Sequence, residues 1–289
     1  MRNFINRRTL FSSLHLYKLR DMKKFTTVIV FFIASCTIAP RVTVSNVGNN
    51  NSGIITSGKL YTTAYQQNAA EYRALCFQAF NTARRRLEEI ILTKTEKPKA
   101  IVTDIDETIL DNSPYETHQV LQGRDYESTS WYEWTSMAAA DTVPGAATFL
   151  KYASSRGLEI FYVTNRGEKE RSATIKNLQK FNLPNSDDAH LLLMQTTSSK
   201  EERRKNVAAT HTIVMLIGDN LADVSALFDK KNTEERFQTV NKIAEDFGDK
   251  FIILPNPVYG DWESALYNYN YSLTAVQKDS SMKASLHTY

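Results

Sequence analysis

Four aspartates near the ends of two apolar runs are placed to do chemistry together. Asp104 and Asp106 follow "AIVT", while Asp219 follows "VMLIG" and Asp223 lies one helical turn later. Carboxylates that converge in one crevice repel one another and need a cation, and a small set of hard oxygen ligands suits Mg²⁺. Zinc is disfavoured because no His or Cys stands at a suitable spacing. The aspartates therefore predict a magnesium site.

Two other interpretations of the first acidic segment, "DIDETILDNSPYE", compete with this one. An EF-hand calcium loop needs Gly at its sixth position and Glu at its twelfth. Those positions are Ile109 and Tyr115 here, which excludes that motif. The second interpretation is a merely solvated acidic loop. Polar residues at the ends of two further apolar runs disfavour it.

The elements that position these acids are predicted to alternate between strands and helices. Continuous apolar runs, rather than alternating ones, are typical of strands buried on both faces of a parallel sheet. Strands that alternate with helices indicate an open α/β sheet flanked by helices. The predicted strands are 100–104, 159–166, 212–220 and 251–257, and the predicted helices are 66–93, 145–155, 168–181 and 199–209.

The carboxyl ends of three of these strands carry polar residues. Asp104, the pair Thr164 and Asn165, and Asp219 each stand at the end of their own strand. In open α/β sheets, ligands bind in the crevice beyond the carboxyl ends of the strands. The sequence thus predicts a single site at this edge of the sheet.

The order of the motifs resembles that of the haloacid dehalogenase (HAD) superfamily of phosphotransferases. "DIDET" is similar to its first motif, "VTNR" to the second, Lys200 in "SSKEERR" to the third and "GDNLAD" to the fourth. The pairing of "DIDETILDNSPY" with "GDNLAD", together with "AEYRALCFQAFNTA", "VPGA" and "LPNPVYGDWE", resembles the class C nonspecific acid phosphatases over roughly residues 60–270. Those proteins are bacterial lipoproteins that also hydrolyse nucleoside monophosphates. The resemblance implies a Rossmann-like HAD core, a parallel sheet flanked by helices, with a small, mainly helical cap.

The resemblance also implies catalytic roles. Asp104 would be the nucleophile that forms an aspartyl-phosphate, which divides the reaction into two easier displacements. Asp106 would act as general acid and then as general base, and an acid at that position favours phosphate-ester hydrolysis over dehalogenation. Thr164 and the backbone of Asn165 would bind the phosphoryl oxygens. Lys200 would balance the charge between nucleophile and phosphate.

A metal site comes with the same resemblance. Mg²⁺ would be bound by Asp104, by the backbone carbonyl of Asp106 and by Asp219. Asp223 would ligate through water or orient the lysine of the third motif.

Aromatic residues are predicted to select the substrate. The insert at about 109–158 is longer than a simple crossover requires, and the superfamily places a cap there. It contains Trp131, and Tyr259 follows the fourth predicted strand. Trp131 and Trp134 are three apart in sequence, and this spacing also suits an ordinary packing face of a helix. The resemblance singles out Trp131 and Tyr259 as a pair that sandwiches a nucleobase, and stacking of this kind accepts every base.

The first residues are predicted to direct export. Met22 opens a short basic segment, and the apolar run "FTTVIVFFIASC" ends at Cys36, which is typical of a secretory signal and too short for a membrane span. "IASC" resembles a bacterial lipobox, so Cys36 would be lipidated, and Thr37 after it favours the outer membrane. An ordinary signal cleaved near Ala39 is the alternative, and translation would begin at Met22.

The predicted domains follow from these assignments. They are a signal peptide with lipobox (1–36), a flexible tether (37–65), a phosphatase domain (66–275) and a polar tail (276–289). The tether is rich in Ser, Asn, Gly and Thr. Cys76 falls in a helical pattern, which indicates packing rather than chemistry.

Net charge argues against a nucleic-acid polymer as partner. The chain carries +3, and residues 1–35 contribute seven Lys or Arg and one Asp, or +6, so the remainder carries −3. A polymer-binding surface would need a basic patch. The expected partners are phosphomonoesters, nucleotides among them, with membrane contact through a lipid anchor only and an oligomeric state left open.

Two rival functions remain beside the acid phosphatase. One is a HAD sugar-phosphate phosphatase with a different cap, and the other is a surface lipoprotein that binds nucleotides or a protein partner without turnover. A non-catalytic protein is expected to have lost a residue of the reacting centre. Asp104, Asp106, Lys200 and Asp219 are all present, which favours an enzyme.

Overall fold

A five-stranded parallel sheet carries the structure. The computed structural model describes residues 53–289. In chain order its strands are β1 (Lys99–Thr103), β2 (Leu110–Asp111), β3 (Asp141–Thr142), β4 (Glu159–Val163), β5 (Leu191–Leu192), β6 (Thr212–Gly218) and β7 (Phe251–Ile253). The large sheet has the order β5-β4-β1-β6-β7, and β2 and β3 form a separate antiparallel pair. All four predicted strands are confirmed, and the edge strand β5 was missed because it has only two residues.

Helices cover both faces of the sheet. The longer ones are α1 (Ile54–Asn68), α2 (Ala70–Ile90), α3 (Ser113–Leu121), α4 (Ser128–Ser136), α5 (Ala146–Ser155), α6 (Arg171–Lys180), α7 (Glu201–Thr210), α8 (Leu221–Val224), α9 (Thr233–Lys242), α10 (Asp261–Leu266) and α11 (Ala275–Ser285). Short 3₁₀ turns lie at Glu168–Glu170, Ala226–Phe228 and Ala244–Asp246. The predicted α/β fold class is confirmed.

The central strand β1 contributes to two hydrophobic cores. Ile101 points into the core that also contains buried residues of α2, α5 and α6, while Ala100 and Val102 point into the core on the α7 side. This alternation is the two-residue period of a strand. Because both faces are covered, the three middle residues of β1, from Ala100 to Val102, are all apolar, as the sequence indicated. A rigid central strand holds the residue that follows it in place.

The folded part begins earlier than predicted. Helix α1 starts at Ile54 and buries Ile55, Lys59, Thr63 and Gln66, so residues 54–65 are not part of a flexible tether. One continuous helix over 66–93 was also wrong, because Ala69 is extended and separates α1 from α2. The predicted signal peptide, Cys36 and the tether up to residue 52 lie outside the described residues.

The predicted polar tail contains a helix that contacts the start of the described chain. Residues Ala275–Ser285 form α11, and the Asp279 carboxylate accepts hydrogen bonds from the backbone N–H groups of Ile54 and Ile55. These N–H groups open α1 and have no partner within their own helix, so a carboxylate there stabilises the helix start. The two ends of the described chain are therefore joined.

The predicted cap insert divides into two parts. Its first part contains α3, α4 and the β2–β3 pair, in which Leu110 pairs with Thr142. Its last part, α5, packs on the sheet instead and is an ordinary crossover helix. Its buried residues are Ala146, Phe149, Leu150 and Ala153. Within residues 53–289, no helix combines the length and apolar character needed to cross a bilayer.

Candidate active site

Asp104 stands at the carboxyl edge of the sheet, where the central strand β1 ends beside β6. It directly follows β1, and its backbone N–H donates to the carbonyl of Ile217 in β6, at 2.9 Å. Asp219 follows β6, and Asp223 lies on α8 just beyond it. One carboxylate oxygen of each of the three aspartates lies within 4.8 Å of the others. The structure thus brings together three of the four predicted carboxylates through their side chains.

Lys200 supplies the positive charge among these carboxylates. Its Nζ lies 2.6 Å from Oδ1 of Asp104 and 2.6 Å from Oδ1 of Asp223. The lysine precedes the first residue of α7, and only 4% of it is exposed. A lysine at a helix start is ordinarily solvated, so this burial marks a specific role. The lysine predicted for the third motif therefore lies among these carboxylates.

The electrostatics of the centre follow from burial and crowding. Burial, opposed by Lys200 and reinforced by the neighbouring aspartates, raises the pKa of Asp104 well above its usual range. Burial and the Asp223 charge raise the pKa of Asp219 to about 7. For Lys200, burial alone would lower the pKa, but Asp104 and Asp223 outweigh it and the pKa is raised. The folded protein holds more negative charge here than one lysine balances.

Hydrogen bonds orient the two aspartates after β6. Oδ1 of Asp219 accepts from the Thr108 hydroxyl at 2.9 Å, and Oδ2 accepts from the Asn256 amide at 2.8 Å. Oδ2 of Asp223 accepts from the backbone N–H of Asn220 at 2.9 Å. These bonds fix the carboxylates before any ligand arrives.

A glycine makes room for one of these aspartates. A Cβ at Gly218 would lie 2.3 Å from Cβ of Asp223 and 2.4 Å from its Oδ2. No real side chain tolerates that approach, so the Gly in "LIGDN" is required by packing against the carboxylate. The sequence motif therefore contains a residue whose role is to leave space.

A cation fits this group of carboxylates. The three aspartates offer hard oxygen ligands within reach of one another, and a single lysine balances only part of their charge. Such donors suit Mg²⁺ and not zinc. The Asp106 carboxylate is not a member of the group, so a contribution from this residue would come from its backbone carbonyl, as the resemblance implies.

Asp106 is held by Arg166, which lies in the loop after β4. Nη2 of Arg166 donates to Oδ1 of Asp106 at 2.7 Å, and Nε contacts both oxygens at 3.1 and 3.2 Å. The Asn112 amide donates to Oδ1 at 2.9 Å. Arg166 is 2% exposed and is anchored by a bond to the Thr174 hydroxyl. A bidentate, buried guanidinium fixes both the position and the plane of the Asp106 carboxylate.

The two residues of the second motif differ in their surroundings. Thr164 is fully buried, and its hydroxyl lies 3.4 Å from Oδ2 of Asp106 and accepts from the backbone N–H of Arg166. Its carbonyl accepts from Arg203, which also donates to the Asn165 side chain at 2.7 Å. Asn165 lines the cavity above the aspartates. In this arrangement Thr164 orients its neighbours, while Asn165 faces the cavity.

Trp131 and Tyr259 line the same cavity, whose volume is about 460 Å³. The Trp131 ring packs edge-on against Tyr115 at 5.1 Å and lies 6.1 Å from Tyr126. The Tyr259 hydroxyl donates to the Glu107 carboxylate. Both predicted aromatics thus contact other side chains and also line the cavity, and the Arg166 guanidinium lies 5.8 Å from the centroid of the Trp131 ring.

Sequence reasoning missed several residues of the site. Arg166 and Glu107 belong to the quoted motifs "VTNR" and "DIDET", so their proximity to the centre was the available signal. Asn112 joins Asp106 to Glu107, because its side-chain amide donates to both carboxylates, and its Oδ1 accepts from the Trp134 indole N–H. Lys59 lines the cavity from α1 and had no signal, because its segment was assigned to the tether.

Comparison with known proteins agrees with this geometry. Residues 34–262 match the model of the HAD superfamily, subfamily IIIB (acid phosphatase). The class C acid phosphatase from Bacillus anthracis is similar at 41% identity and a TM-score of 0.79, over 81% of this chain and 99% of that one. A structure of that enzyme with tungstate bound gives 41% identity and a TM-score of 0.78, over 81% and 98%.

A more distant relative shares only part of its length. Acid phosphatase 1 of Solanum lycopersicum is 26% identical over 77 residues, which is 27% of this chain and 30% of that protein.

The fold and the site define a member of the HAD superfamily. Within it, the chain belongs to subfamily IIIB, the acid phosphatases, which are phosphomonoesterases.

Proposed function

We propose that the protein is a Mg²⁺-dependent hydrolase of phosphomonoesters, including nucleoside 5′-monophosphates, that acts through an aspartyl-phosphate. The observation that carries the proposal is the contact of Lys200 with Asp104, at 2.6 Å, beside two further aspartates at the carboxyl edge of the sheet. A carboxylate and an ammonium group in one buried centre form the charge pattern that phosphoryl transfer needs. Tungstate, the ion bound in the relative, is a tetrahedral oxyanion like phosphate.

Two carboxylates share the chemistry. An oxygen of Asp104 attacks phosphorus while the bond to the leaving-group oxygen breaks, and Asp106 gives that oxygen a proton. A water molecule then loses a proton to Asp106, attacks phosphorus and breaks the bond to Asp104, which releases phosphate. Arg166 and Asn112 hold the Asp106 carboxyl in position for both proton transfers.

Charge balance falls to the surrounding groups. Lys200 neutralises part of the charge shared by Asp104 and the incoming phosphate. Asp104, Asp219 and Asp223, with the carbonyl of Asp106, would hold Mg²⁺, which supplies further positive charge next to the phosphoryl oxygens.

The experiment that tests the function is phosphate release from 5′-nucleotides and aryl phosphates, with Mg²⁺ or with chelator. Turnover that survives full metal removal would contradict the metal requirement.

We further propose that Trp131 and Tyr259 bind the nucleobase by stacking. The rings line the cavity that leads to Asp104, and each stacked base contributes about 1–3 kcal/mol regardless of its identity. Trp131→Ala combined with Tyr259→Ala is expected to lower kcat/KM for 5′-nucleotides about tenfold more than for phenyl phosphate. An equal loss on both substrates would rule out the sandwich. Tyr132→Ala, an exposed aromatic of the same helix, is the control.

The envelope location is also a proposal. A lipidated Cys36 after an apolar run would anchor the mature chain to a membrane, with the outer membrane favoured. The variant Cys36→Ser is expected to incorporate no labelled fatty acid, and its phosphatase activity should leave the membrane fraction. Retention of both label and membrane association would point to an ordinary signal or another anchor.

A further inference from the structure

Glu116 is a buried carboxylate in the cavity wall with no partner of its own. It lies on α3, is 6% exposed and lines the cavity that contains Asp104 and Lys200. Among the residues the structure describes, none makes a hydrogen bond or ion pair with its side chain. Buried carboxylates ordinarily accept hydrogen bonds, since an unpaired buried charge is costly. The free oxygens of Glu116 therefore call for an explanation.

The nearest cation is already engaged. Nζ of Lys59, on α1, lies 2.6 Å from Oδ1 of Asp125 and 4.0 Å from Oε2 of Glu263 on α10. Lys278 of α11 lines the same cavity. Asp125, Glu263 and Glu116 are thus all attracted by the charge of Lys59, but Glu116 is the one of the three that does not contact it. The Glu116 carboxyl group therefore lacks a hydrogen-bond donor.

The environment of Glu116 penalises its ionised form. Burial, opposed by Lys59 and reinforced by Asp125 and Glu263, raises the pKa of Glu116 to about 7. Energy would be recovered if a molecule in the cavity brought an N–H or O–H group to this oxygen. The residues that react with phosphate line the cavity from the sheet edge, and Glu116 lines it from the cap helix.

We propose that Glu116 accepts a hydrogen bond from an N–H or O–H donor on the leaving group of the substrate, and so forms a polar subsite distinct from the aromatic rings. The inference rests on the proposed hydrolysis of nucleotides and deepens it. Stacking alone cannot distinguish one polar leaving group from another, because every base has a π face. A buried acceptor adds a preference for leaving groups that carry donors.

The test compares substrates that carry donors with one that has none. Glu116→Met removes the acceptor and Glu116→Gln retains a carbonyl oxygen, while Glu133→Met changes an exposed glutamate of α4 as the matched control. The measured quantity is kcat/KM for adenosine 5′-monophosphate divided by kcat/KM for phenyl phosphate. We expect the ratio to fall about tenfold in Glu116→Met, mainly through KM, because the donor on the substrate would lose its acceptor in a buried site. Glu116→Gln should recover part of the loss, and Glu133→Met should leave the ratio unchanged.

Substrate analogues identify the donor. If the base supplies it, the preference of the wild-type enzyme for adenosine 5′-monophosphate over purine riboside 5′-monophosphate, which lacks the amino group, disappears in Glu116→Met. If the sugar supplies it, the preference over the 2′,3′-dideoxy nucleotide disappears instead. Each comparison is a cycle that isolates one contact.

The outcomes separate the subsite from the proposed function. Equal losses on the nucleotide and on phenyl phosphate in both Glu116 variants would assign Glu116 a structural role and overturn the subsite, while the phosphatase proposal would stand. Wild-type protein that releases phosphate from neither substrate would overturn both. A ratio that falls only in the Glu116 variants supports the subsite.

Discussion

Asp104→Asn is expected to abolish turnover of every phosphomonoester, with kcat lowered about 10⁴- to 10⁶-fold. The amide nitrogen and oxygen cannot displace an alkoxide from phosphorus, and loss of a nucleophile removes the whole covalent route rather than one contact. The defect should not depend on the leaving group, since nucleotides and phenyl phosphate meet the same Asp104. Phosphate release at saturating Mg²⁺, followed for hours at high enzyme concentration, measures it.

A thermal-unfolding measurement on Asp104→Asn distinguishes a loss of chemistry from a failure to fold. The pKa of Asp104 is raised by burial and by nearby aspartates, so the folded protein disfavours the charged form. A neutral Asn removes that repulsion, and Lys200 keeps its contact with Asp223. The metal-free variant is therefore expected to unfold at the same temperature as the wild type or higher.

The matched control is Asp188→Asn, at an exposed side chain whose ion contact with Arg171 spans 3.4 Å. Surface pairs of this kind contribute little, so full activity is expected. Activity of Asp104→Asn within a factor of ten of the wild type would contradict the nucleophile assignment. Trapping of a phosphorylated wild-type enzyme by rapid acid quench, absent in Asp104→Asn, would support it directly.

The sequence predicted those parts of the fold that local patterns encode. Strands β1, β4 and β6 are buried on both faces, so their apolar runs are continuous and their carboxyl ends are readable from the residues alone. Asp104 and Asp219 were located in this way. Parallel strands bring their carboxyl ends to one edge, which is why a single site was foreseeable.

Helix α1 escaped prediction for a physical reason. The four residues it buries are Ile55, Lys59, Thr63 and Gln66, and only one of them is apolar. A helix that buries polar groups shows no hydrophobic period, so pattern reasoning cannot detect it. Its partners, Asp125 and Asp111, are distant in sequence, at 66 and 45 residues, and only the fold brings them together.

The side chains that contact Asp106 and Lys200 could not be predicted from the sequence either. Asp106 and Arg166 are 60 residues apart, and the plane of the guanidinium relative to the carboxylate depends on the anchor at Thr174. The burial of Lys200 depends on how α7 begins above the sheet. Motif order therefore located Lys200 and Asp106, while their geometry required the structure.

Lys200→Met is expected to lower kcat/KM about 10²- to 10³-fold and to destabilise the metal-free protein. Lys200 contacts Asp104 and Asp223 at 2.6 Å and is nearly inaccessible to solvent. Its removal leaves three crowded carboxylates without a cation, and the loss of one partner of a buried ion pair costs about 3–5 kcal/mol. Calorimetry in chelator measures the stability, and phosphate release measures the activity.

Added Mg²⁺ separates the two effects. A cation that binds Asp104 and Asp219 only in the folded state adds a stability that rises with the logarithm of its concentration above Kd, so millimolar Mg²⁺ should restore much of the lost stability of Lys200→Met. It should not restore kcat, because the ammonium group that balances the phosphate is still missing. Lys205→Met, an exposed position on the same helix, should behave like the wild type in both assays. If Mg²⁺ restored kcat to the wild-type value, Lys200 would be a structural counter-charge and its assigned part in phosphoryl transfer would be wrong.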